Sequence, residues 1–542
     1  MSVRTAVRLA PALFAFGTVQ AIAQVPTAEI PPHADTAIAT RSQVTIGTRT
    51  IPYTATAGLF PLYVNDTGEL MGSIFFIAYV ADRASGQPPR PITFLWNGGP
   101  GANSSQVHIV GYGPKRIRTP DTYPEWGPNT ESAIVNHPET WLESSDLVFV
   151  DPPGTGYSRA TSMAFRDILY SGRGDAEAVA EFIRVYLNRY TRWDSPVFIA
   201  GESYGTTRAM LVAEALEKRR TRLAGVILIS GGYNAGQTVP PVLNQALGIS
   251  ELTATAHFHK ILPADLQGLP QDEAVKRAVE WARREYAPAL TRRDSLSAAE
   301  RSAIIEGLAR HTGMNPRYVD QRTLTVPNYG DNLMRDRGLE LGRYDSRMVL
   351  KQRPEGVVWG PTNDPSLSPM IDLMQGTSRL FNSYVRDTLK FRTTLLYRGP
   401  FGGAFHPESL AAMPGGVISS DWMAAMFKMA GSGAGGGGAP PAAGADTARA
   451  PAQPPLRRAM EVNPNLLVMS FVGMYDGSCA AREEAVAQTP AHLRSRVRAH
   501  CYAGGHMYYS DREARRESQR DFAEFVRDAI AHRSAPGKER TR

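Results

Sequence analysis

PVFIAGESYGTTRAM, residues 196–210, places an apolar run, a serine between glycines and the start of a helical pattern in direct succession. Its centre, GESYG at 201–205, fits G-x-S-x-G, a tight strand-to-helix turn that lifts a serine hydroxyl clear of the backbone. Glycines flank the serine because side chains would clash in such a turn. The stretch therefore predicts Ser203 as an exposed nucleophile; the alternative is a serine that only caps the following helix.

Short apolar runs of strand type alternate with helical patterns on both sides of this turn. The predicted strands are 92–96, 146–150, 197–200, 226–230, 466–472 and 497–502, and the predicted helices are 175–190 and 206–220. This alternation, after a strand-rich start at 43–82, indicates an α/β protein with a mostly parallel central sheet covered by helices.

The alternation breaks where charged helical stretches such as 273–286 and 298–309 replace the strand signals. We interpret that region as a large, mainly helical cap, which includes a Gly/Ala/Pro tract at 431–455 that cannot pack a core. Residues 24–40 predict a loose arm. The predicted units are a leader (1–23), a first part of the sheet domain (24–237), the cap insertion (238–463), a second part of the sheet domain (464–535) and a basic tail (536–542).

The first residues have the form of a secretory leader. Two arginines precede an apolar run at 9–22, and Ala21-Ile22-Ala23 fits a cleavage signal of the A-x-A type. The run is short and interrupted by Pro11, so it does not predict a membrane-spanning helix. We expect cleavage near Ala23 and an exported protein, periplasmic or secreted. An N-terminal anchor that is never cleaved is the alternative.

Only two cysteines occur, Cys479 and Cys501. Because exported proteins meet oxidising conditions, we predict a disulfide between them, with two buried thiols as the alternative. Their spacing and the lack of an H-E-x-x-H motif favour neither a metal site nor a cofactor. The net charge of +7 comes mostly from arginines spread along the chain, which indicates a solvated basic surface rather than a nucleic-acid interface.

A base and an acid for Ser203 follow in the order Ser, Asp, His that α/β-hydrolases use. Asp476 and His506 each stand just beyond an apolar strand pattern and beside glycine, so both can converge over the serine. We predict that His506 takes the serine proton and that Asp476 holds the imidazole in the required tautomer. Taken singly, each residue is also typical of an ordinary turn.

An oxyanion hole is predicted at WNGGPG, residues 96–101, where a glycine-rich turn follows the strand 92–96. Such turns let backbone N–H groups face a developing negative charge. The expected donors are the N–H groups of Gly99 and of Tyr204, the residue after the nucleophile. A phosphate-binding loop is disfavoured because the G-x-x-x-x-G-K spacing is absent.

Five ordered motifs resemble the series of the serine carboxypeptidase family, in a member of bacterial type: WNGGPG (96–101), DPPGTGYS (151–158), GESYG (201–205), YDG (475–477) and GGHM (504–507). NHPETW at 136–141 is similar to that family's N-P-x-S-W segment. The resemblance covers about 90–240 and 463–530. It implies an α/β-hydrolase fold and hydrolysis of a peptide at its free C-terminus through an acyl-enzyme on Ser203.

The resemblance also implies that Asn97 and Glu202 bind the substrate carboxylate. Glu202 would then be protonated, because two carboxylates in contact cannot both ionise cheaply. Its alternative role is to accept bonds from backbone N–H groups of the turn. The sequence departs from the family where Gly111 stands in place of a frequent second glutamate, and Arg208 is a candidate substitute.

Two further departures lie near the glycine turn. GANSS at 101–105 replaces the family's usual G-C-S-S, and the tryptophan directly precedes the asparagine of the motif. These departures concern carboxylate recognition and leave the three triad positions intact. Alternative functions are an esterase or acyltransferase that uses the same triad and a non-catalytic binding protein that kept the fold. Residues 431–455 have two candidate roles, a partner-binding segment and a lid.

Overall fold

The computed structural model describes residues 30–118, 133–236, 239–354, 363–399 and 453–534, together with positions 357 and 360. The predicted leader, residues 431–452 of the Gly/Ala/Pro tract and the basic tail lie outside the described residues. Among the residues described, no helix combines the length and apolar character needed to cross a membrane.

A mixed, mostly parallel sheet forms the centre of the molecule. In the described residues the strands are β1 (Thr36–Ile46), β2 (Arg49–Tyr63), β3 (Leu70–Ala81), β4 (Ile92–Trp96), β5 (Lys115–Ile117), β6 (Ile134–Asn136), β7 (Asp146–Val150), β8 (Arg159–Ala160), β9 (Val197–Glu202), β10 (Leu223–Ile229), β11 (Leu339–Leu341), β12 (Val349–Lys351), β13 (Leu467–Gly473) and β14 (Val497–Tyr502). The central sheet runs β1-β2-β3-β7-β4-β9-β10-β13-β14, and β8 pairs with β3.

The direction of the strands sets where a site can form. β1, β2 and β3 pair antiparallel, β3 joins β7 antiparallel, and all pairs from β7 to β14 in the sheet order are parallel. The carboxyl ends of the parallel strands therefore meet at one edge, where open α/β sheets hold their ligands. This is the α/β-hydrolase fold that the sequence predicted.

Helices cover both faces of the sheet and fill the region between β10 and β13. The α-helices are Met163–Leu169, Gly172–Arg189, Tyr204–Lys218, Pro241–Leu247, Ile249–Phe258, Ala264–Gln267, Gln271–Trp281, Ala287–Thr291, Ala298–Thr312, Tyr329–Asn332, Ile371–Gln375, Arg379–Ser383, Pro455–Val462, Cys479–Ala487, Ala491–Arg494 and Arg512–Ser534. π-helical segments are Gln106–Tyr112, Ala282–Tyr286 and Tyr384–Thr388. Short 3₁₀ segments are Trp141–Glu143, Arg293–Ser295, Pro316–Tyr318, Arg335–Arg337, Ser368–Met370 and Tyr508–Ser510.

The strands are apolar on both sides because both faces of the sheet are buried. In β9, Phe198 and Ala200 belong to the core on one face, and Val197 and Ile199 belong to the core on the other. The long helix Arg512–Ser534 covers the first face, and three helices, Gly172–Arg189, Tyr204–Lys218 and Pro455–Val462, cover the second. The predicted strands are all present, with ends displaced by up to three residues.

The predicted loose arm is wrong in its last part, since β1 begins at Thr36. Thr36 to Ile46 pairs along its whole length with β2 and forms the edge of the sheet. Its alternating half-buried and exposed side chains explain why the sequence looked polar. An edge strand buries only one face, so its hydrophobic signal is weak.

The region predicted as one helical cap packs in two different ways: one part forms its own core, and other parts pack against the sheet domain. A separate apolar core joins residues between 246 and 341, and the short hairpin β11–β12 lies in the same part of the chain. Residues 367–397 instead contribute buried side chains, such as Phe381 and Tyr384, to the core of the sheet domain. The helix Pro455–Val462 also packs on the sheet domain. The described residues that form a separate cap core therefore span less of the chain than the predicted 238–463.

The predicted disulfide between Cys479 and Cys501 is present, with 5.9 Å between their Cα atoms. It ties the first residue of the helix Cys479–Ala487 to the end of β14. Asp476 lies just before this helix, and His506 lies just after the strand. The bond thus joins the two segments that carry the predicted acid and base.

We expect a Cys479→Ala/Cys501→Ala protein to lose about 3 kcal/mol of unfolding free energy, because an unlinked chain gains loop entropy over a separation of 22 residues. Urea unfolding of oxidised protein and the double variant measures the difference. The double replacement leaves no unpaired thiol to react. A midpoint unchanged from that of the oxidised protein would contradict the prediction.

Candidate active site

The G-x-S-x-G stretch forms the sharp turn that the sequence predicted. Ser203 lies between β9 and the helix Tyr204–Lys218 with φ 59° and ψ −127°, a conformation that L-residues rarely adopt. Its own N–H donates to Ile229 O at 2.9 Å, which fixes the turn to β10. A Cβ on Gly201 would lie 1.9 Å from Gly205 O, so the turn closes only with glycine at that position.

The glycine-rich turn after β4 packs directly against the serine turn. A Cβ on Gly98 would lie 2.4 Å from Tyr204 N, which shows how closely the two backbones approach. Trp96 Nε1 donates to Gly205 O at 3.0 Å and locks the end of β4 to the same turn. Gly99 lines the cleft in front of Ser203. Both predicted oxyanion donors, Gly99 and Tyr204, therefore lie at this junction.

Asp476 and His506 meet at the carboxyl edge of β13 and β14. His506 Nδ1 and Asp476 Oδ2 are 2.8 Å apart, a charge-assisted hydrogen-bond distance. Backbone bonds hold both loops: Tyr475 N donates to Gly504 O at 3.0 Å, and His506 N donates to Tyr344 O at 2.6 Å. The pair is therefore fixed by main-chain contacts from two sides.

The charge state of His506 reflects opposing influences. Burial disfavours the imidazolium, but the Asp476 carboxylate and then Glu202 outweigh it, and the pKa of His506 is raised above its ordinary value. An imidazole whose cation is stabilised in this way is a stronger base. The arrangement suits proton acceptance from a neighbouring hydroxyl.

A cleft lies in front of these groups. It brings together Ser203, His506, Asn97, Glu202 and Gly99, all named from the sequence. Asp476 is not among the lining residues and contacts the cleft only through its hydrogen bond with His506. The remaining lining residues are Gly98, Pro100, Ala102, Gln106, Tyr344, Leu367, Met374 and Met507.

Glu202 is a buried carboxyl beside the nucleophile. Its Oε1 accepts a hydrogen bond from Asn97 Nδ2 at 2.8 Å, and it is 2% exposed. Burial raises the pKa of Glu202 to about 7, against the opposing effects of His506, Tyr509 and Asn97. A carboxyl with this pKa holds a proton in mild acid and can then donate a hydrogen bond.

Arg208 does not supply the substitute charge for which it was a candidate. Its side chain is buried, with Nε 2.7 Å from Asp175 Oδ2 and Nη1 2.7 Å from Asn97 O. It therefore positions the backbone of Asn97 rather than facing a ligand. Among the described residues that line the cleft, none is lysine or arginine.

Several lining residues had no signal in the sequence. Tyr344 comes from the cap region, and its ring packs edge-on against His506 with 5.0 Å between centroids. Leu367 and Met374 come from the stretch that joins the core of the sheet domain. Gln106 follows the glycine turn in a π-helical segment. None of these four belongs to a motif, so only the fold brings them to the serine.

Comparison with protein families and curated proteins finds similarity to carboxypeptidases. Residues 55–266 match the family model described as serine carboxypeptidase. The pheromone-processing carboxypeptidase kex1 of Schizosaccharomyces japonicus is 26% identical over 186 residues, which cover 33% of this chain and 32% of the relative. Its namesake from Schizosaccharomyces pombe is 29% identical over 175 residues, covering 32% and 31%. The chain thus spans about a third of the length of the curated relatives it matches.

Among solved structures, that of Kex1(delta)p, a prohormone-processing carboxypeptidase from Saccharomyces cerevisiae, is similar at a TM-score of 0.47 and 14% identity over 88% of this chain and 92% of that one. A carboxyl esterase from Bacillus coagulans is similar at a TM-score of 0.33 and 11% identity over 88% and 99%. The family match covers β4, β7 and β9 with the glycine turn and the serine turn at their ends. The chain is thus similar to the serine carboxypeptidase family across residues 55–266.

Proposed function

We propose that the protein is a serine-type carboxypeptidase that removes C-terminal residues from peptides through an acyl-enzyme on Ser203. The observation that carries the proposal is that the strained Ser203 and His506 line the same cleft, with His506 Nδ1 2.8 Å from Asp476 Oδ2. The order of these groups along the chain and the family match support the same reaction.

The first step is acylation. Ser203 Oγ attacks the carbonyl carbon of the last peptide bond, and His506 Nε2 takes the hydroxyl proton. Asp476 keeps the Nδ1 proton in place and stabilises the imidazolium. The N–H groups of Gly99 and Tyr204 stabilise the oxyanion, and the imidazolium then protonates the leaving amine. Water, deprotonated by His506, releases the shortened peptide from the serine.

Recognition of the free C-terminus is assigned to Asn97 and Glu202. The proton on Glu202 lets this carboxyl donate to the substrate carboxylate instead of repelling it. Asn97 has one amide hydrogen beyond the bond it makes to Glu202. Glu202 directly precedes Ser203 in the chain. A substrate carboxylate bound to Glu202 therefore lies close to the peptide bond that Ser203 attacks, as removal of a single C-terminal residue requires.

The test compares a blocked dipeptide that has a free C-terminus with its C-terminal amide, between pH 4 and pH 8. Release of the last residue from the free acid, at least tenfold faster than from the amide, supports the carboxypeptidase. A Ser203→Ala protein run in parallel removes contaminating peptidase activity. Equal cleavage of acid and amide would overturn the proposal.

Glu202 gives this preference a pH dependence. Its pKa of about 7 means that the carboxyl is neutral below that pH and charged above it. We expect kcat/KM for the free acid to fall about tenfold per pH unit on the alkaline side, whereas a Glu202→Gln protein should lose this fall, since the amide never ionises. The pH profile of kcat/KM on free acid and amide measures the difference.

Glu214→Gln is the matched control for that profile. A hydrogen bond from Arg458 holds the pKa of Glu214 at about 2, so Glu214 stays charged over the whole assay range. Its replacement should leave the alkaline fall in place. An alkaline fall retained by Glu202→Gln would show that another group titrates there.

An esterase or acyltransferase on the same triad is the second candidate. The observation that favours it is the lack of lysine or arginine among the described residues lining the cleft, since no fixed positive charge demands a carboxylate. The acyl-enzyme can pass to water or to another nucleophile. Hydrolysis of short acyl esters without any preference for a free carboxylate would select this candidate.

We further propose that the mature protein begins near Gln24 and acts as an exported, bacterial-type member in the periplasm or outside the cell. The leader pattern at 1–23 and the disulfide support export. The proposed partner is a peptide with a free C-terminus. N-terminal sequencing of protein recovered from an exporting host tests the cleavage site.

A further inference from the structure

An unpartnered amide donor lies in the cleft. Gln106 begins the segment Gln106–Tyr112 and lines the same space as Ser203 and Glu202. Its side chain is 6% exposed, and its Nε2 has no hydrogen-bond partner among the described residues. A buried donor left without an acceptor costs free energy. A polar group kept in that state beside a nucleophile points to a ligand that supplies the acceptor.

Hydrogen bonds connect the backbone beside Gln106 to the residue that precedes the nucleophile. Val107 N, the next residue, donates to Asn97 Oδ1 at 3.1 Å. Asn97 Nδ2 in turn donates to Glu202 Oε1 at 2.8 Å, and Glu202 precedes Ser203 in the chain. Gln106, Asn97 and Glu202 therefore form one polar wall of the cleft next to the serine.

The chemistry of this wall limits what it can bind. A carboxylate in a cleft whose described lining has no lysine or arginine must be held by neutral donors. Asn97 already uses one amide hydrogen and its oxygen within the wall. Gln106 keeps both N–H donors of its Nε2, because that atom has no hydrogen-bond partner among the described residues. It can therefore present two N–H donors to a ligand.

We propose that Gln106 is a specificity-determining residue that donates a hydrogen bond to the α-carboxylate of the peptide's last residue. It completes a neutral carboxylate site with Asn97 and the protonated Glu202. The inference rests on the proposed carboxypeptidase function and names a residue that neither the sequence motifs nor the family match identified.

The test is binding rather than turnover. A Ser203→Ala protein, which keeps a substrate intact, is titrated in a calorimeter at pH 6 with a blocked dipeptide acid and with its amide. Adding Gln106→Met, an apolar side chain of similar length, should weaken binding of the acid about 10- to 100-fold relative to the amide. Gln106→Leu is measured in parallel. Gln87→Met, at an exposed loop position, is the matched control and should change neither value.

Each outcome separates this inference from the function on which it rests. If the Ser203→Ala protein prefers the acid and the Gln106 variants keep that preference, the inference is wrong while the carboxypeptidase proposal stands. If acid and amide bind equally before Gln106 is changed, both are wrong. An equal loss for acid and amide in both Gln106 variants would show a structural role only.

Discussion

Replacing Ser203 with alanine is expected to lower kcat on a peptide acid by about 10⁴- to 10⁶-fold, with KM changed far less. The hydroxyl is the atom that bonds to the substrate, and nothing else in the turn can take its place. Cleft and oxyanion donors remain, so substrate still binds. Steady-state kinetics on purified protein measures the loss, and far-UV circular dichroism verifies the fold.

Two controls make this result specific. Ser302 lies on an exposed face of the cap helix Ala298–Thr312. Its replacement by alanine should leave kcat unchanged. A fluorophosphonate reagent should label the unaltered protein once, on the peptide that contains Ser203, and should not label Ser203→Ala. A variant that retained more than a tenth of its activity would exclude an acyl-enzyme on this serine.

Asp476→Asn is expected to lower kcat by about 10³- to 10⁴-fold. The asparagine amide would donate to His506 Nδ1, whereas the carboxylate accepts from it at 2.8 Å. The ring proton then moves to Nε2, the nitrogen that must accept the serine proton. The residue keeps its size, so the two loops joined by Tyr475 and Gly504 stay in place. The rate of acylation on an ester substrate, measured before steady state, reports the effect directly.

A second Asp–His pair in the protein gives a matched control. His500 Nδ1 lies 3.1 Å from Asp521 Oδ2, on the strand β14 that leads to His506. Asp521→Asn changes the same chemical contact away from the cleft and should alter kcat by less than about twofold. If Asp476→Asn lost no more activity than Asp521→Asn, Asp476 would not be the residue that orients His506.

The two variants also separate chemistry from structure. Ser203→Ala removes the nucleophile and leaves His506 untouched, whereas Asp476→Asn keeps the size of the side chain but replaces a carboxylate oxygen by an amide NH2, which shifts the ring proton of His506. Because the three residues act as a unit, a protein that carries both changes should be about as inactive as Ser203→Ala alone. An additive loss would argue against a shared triad.

Local patterns were sufficient for the sheet and for the residues at its carboxyl edge. The apolar runs around Ser203, Asp476 and His506 located β9, β13 and β14, because a strand buried on both faces needs a continuous apolar run. The serine turn was predictable for a similar reason. A Cβ on Gly201 would lie 1.9 Å from Gly205 O, so the backbone geometry itself demands the motif.

The lining of the cleft was not predictable in this way. Tyr344, Leu367 and Met374 reach the serine from segments that are more than a hundred residues away in the chain and that follow no periodic pattern. Arg208 was a reasonable candidate by charge, yet the fold turns it toward Asp175 and the backbone of Asn97. Which polar groups face a ligand depends on partners that sequence spacing does not reveal.

The sequence by itself determined the α/β class, the serine turn and the order of nucleophile, acid and base, because strand periodicity and tight turns restrict residue types locally. Only the tertiary structure decided that His506 and Ser203 share one cleft with Glu202, and that burial raises the pKa of Glu202 to about 7. It alone revealed Gln106 as an amide donor that has no hydrogen-bond partner among the described residues. Desolvation and hydrogen-bond satisfaction depend on every neighbour in space, whereas a motif records only neighbours along the chain.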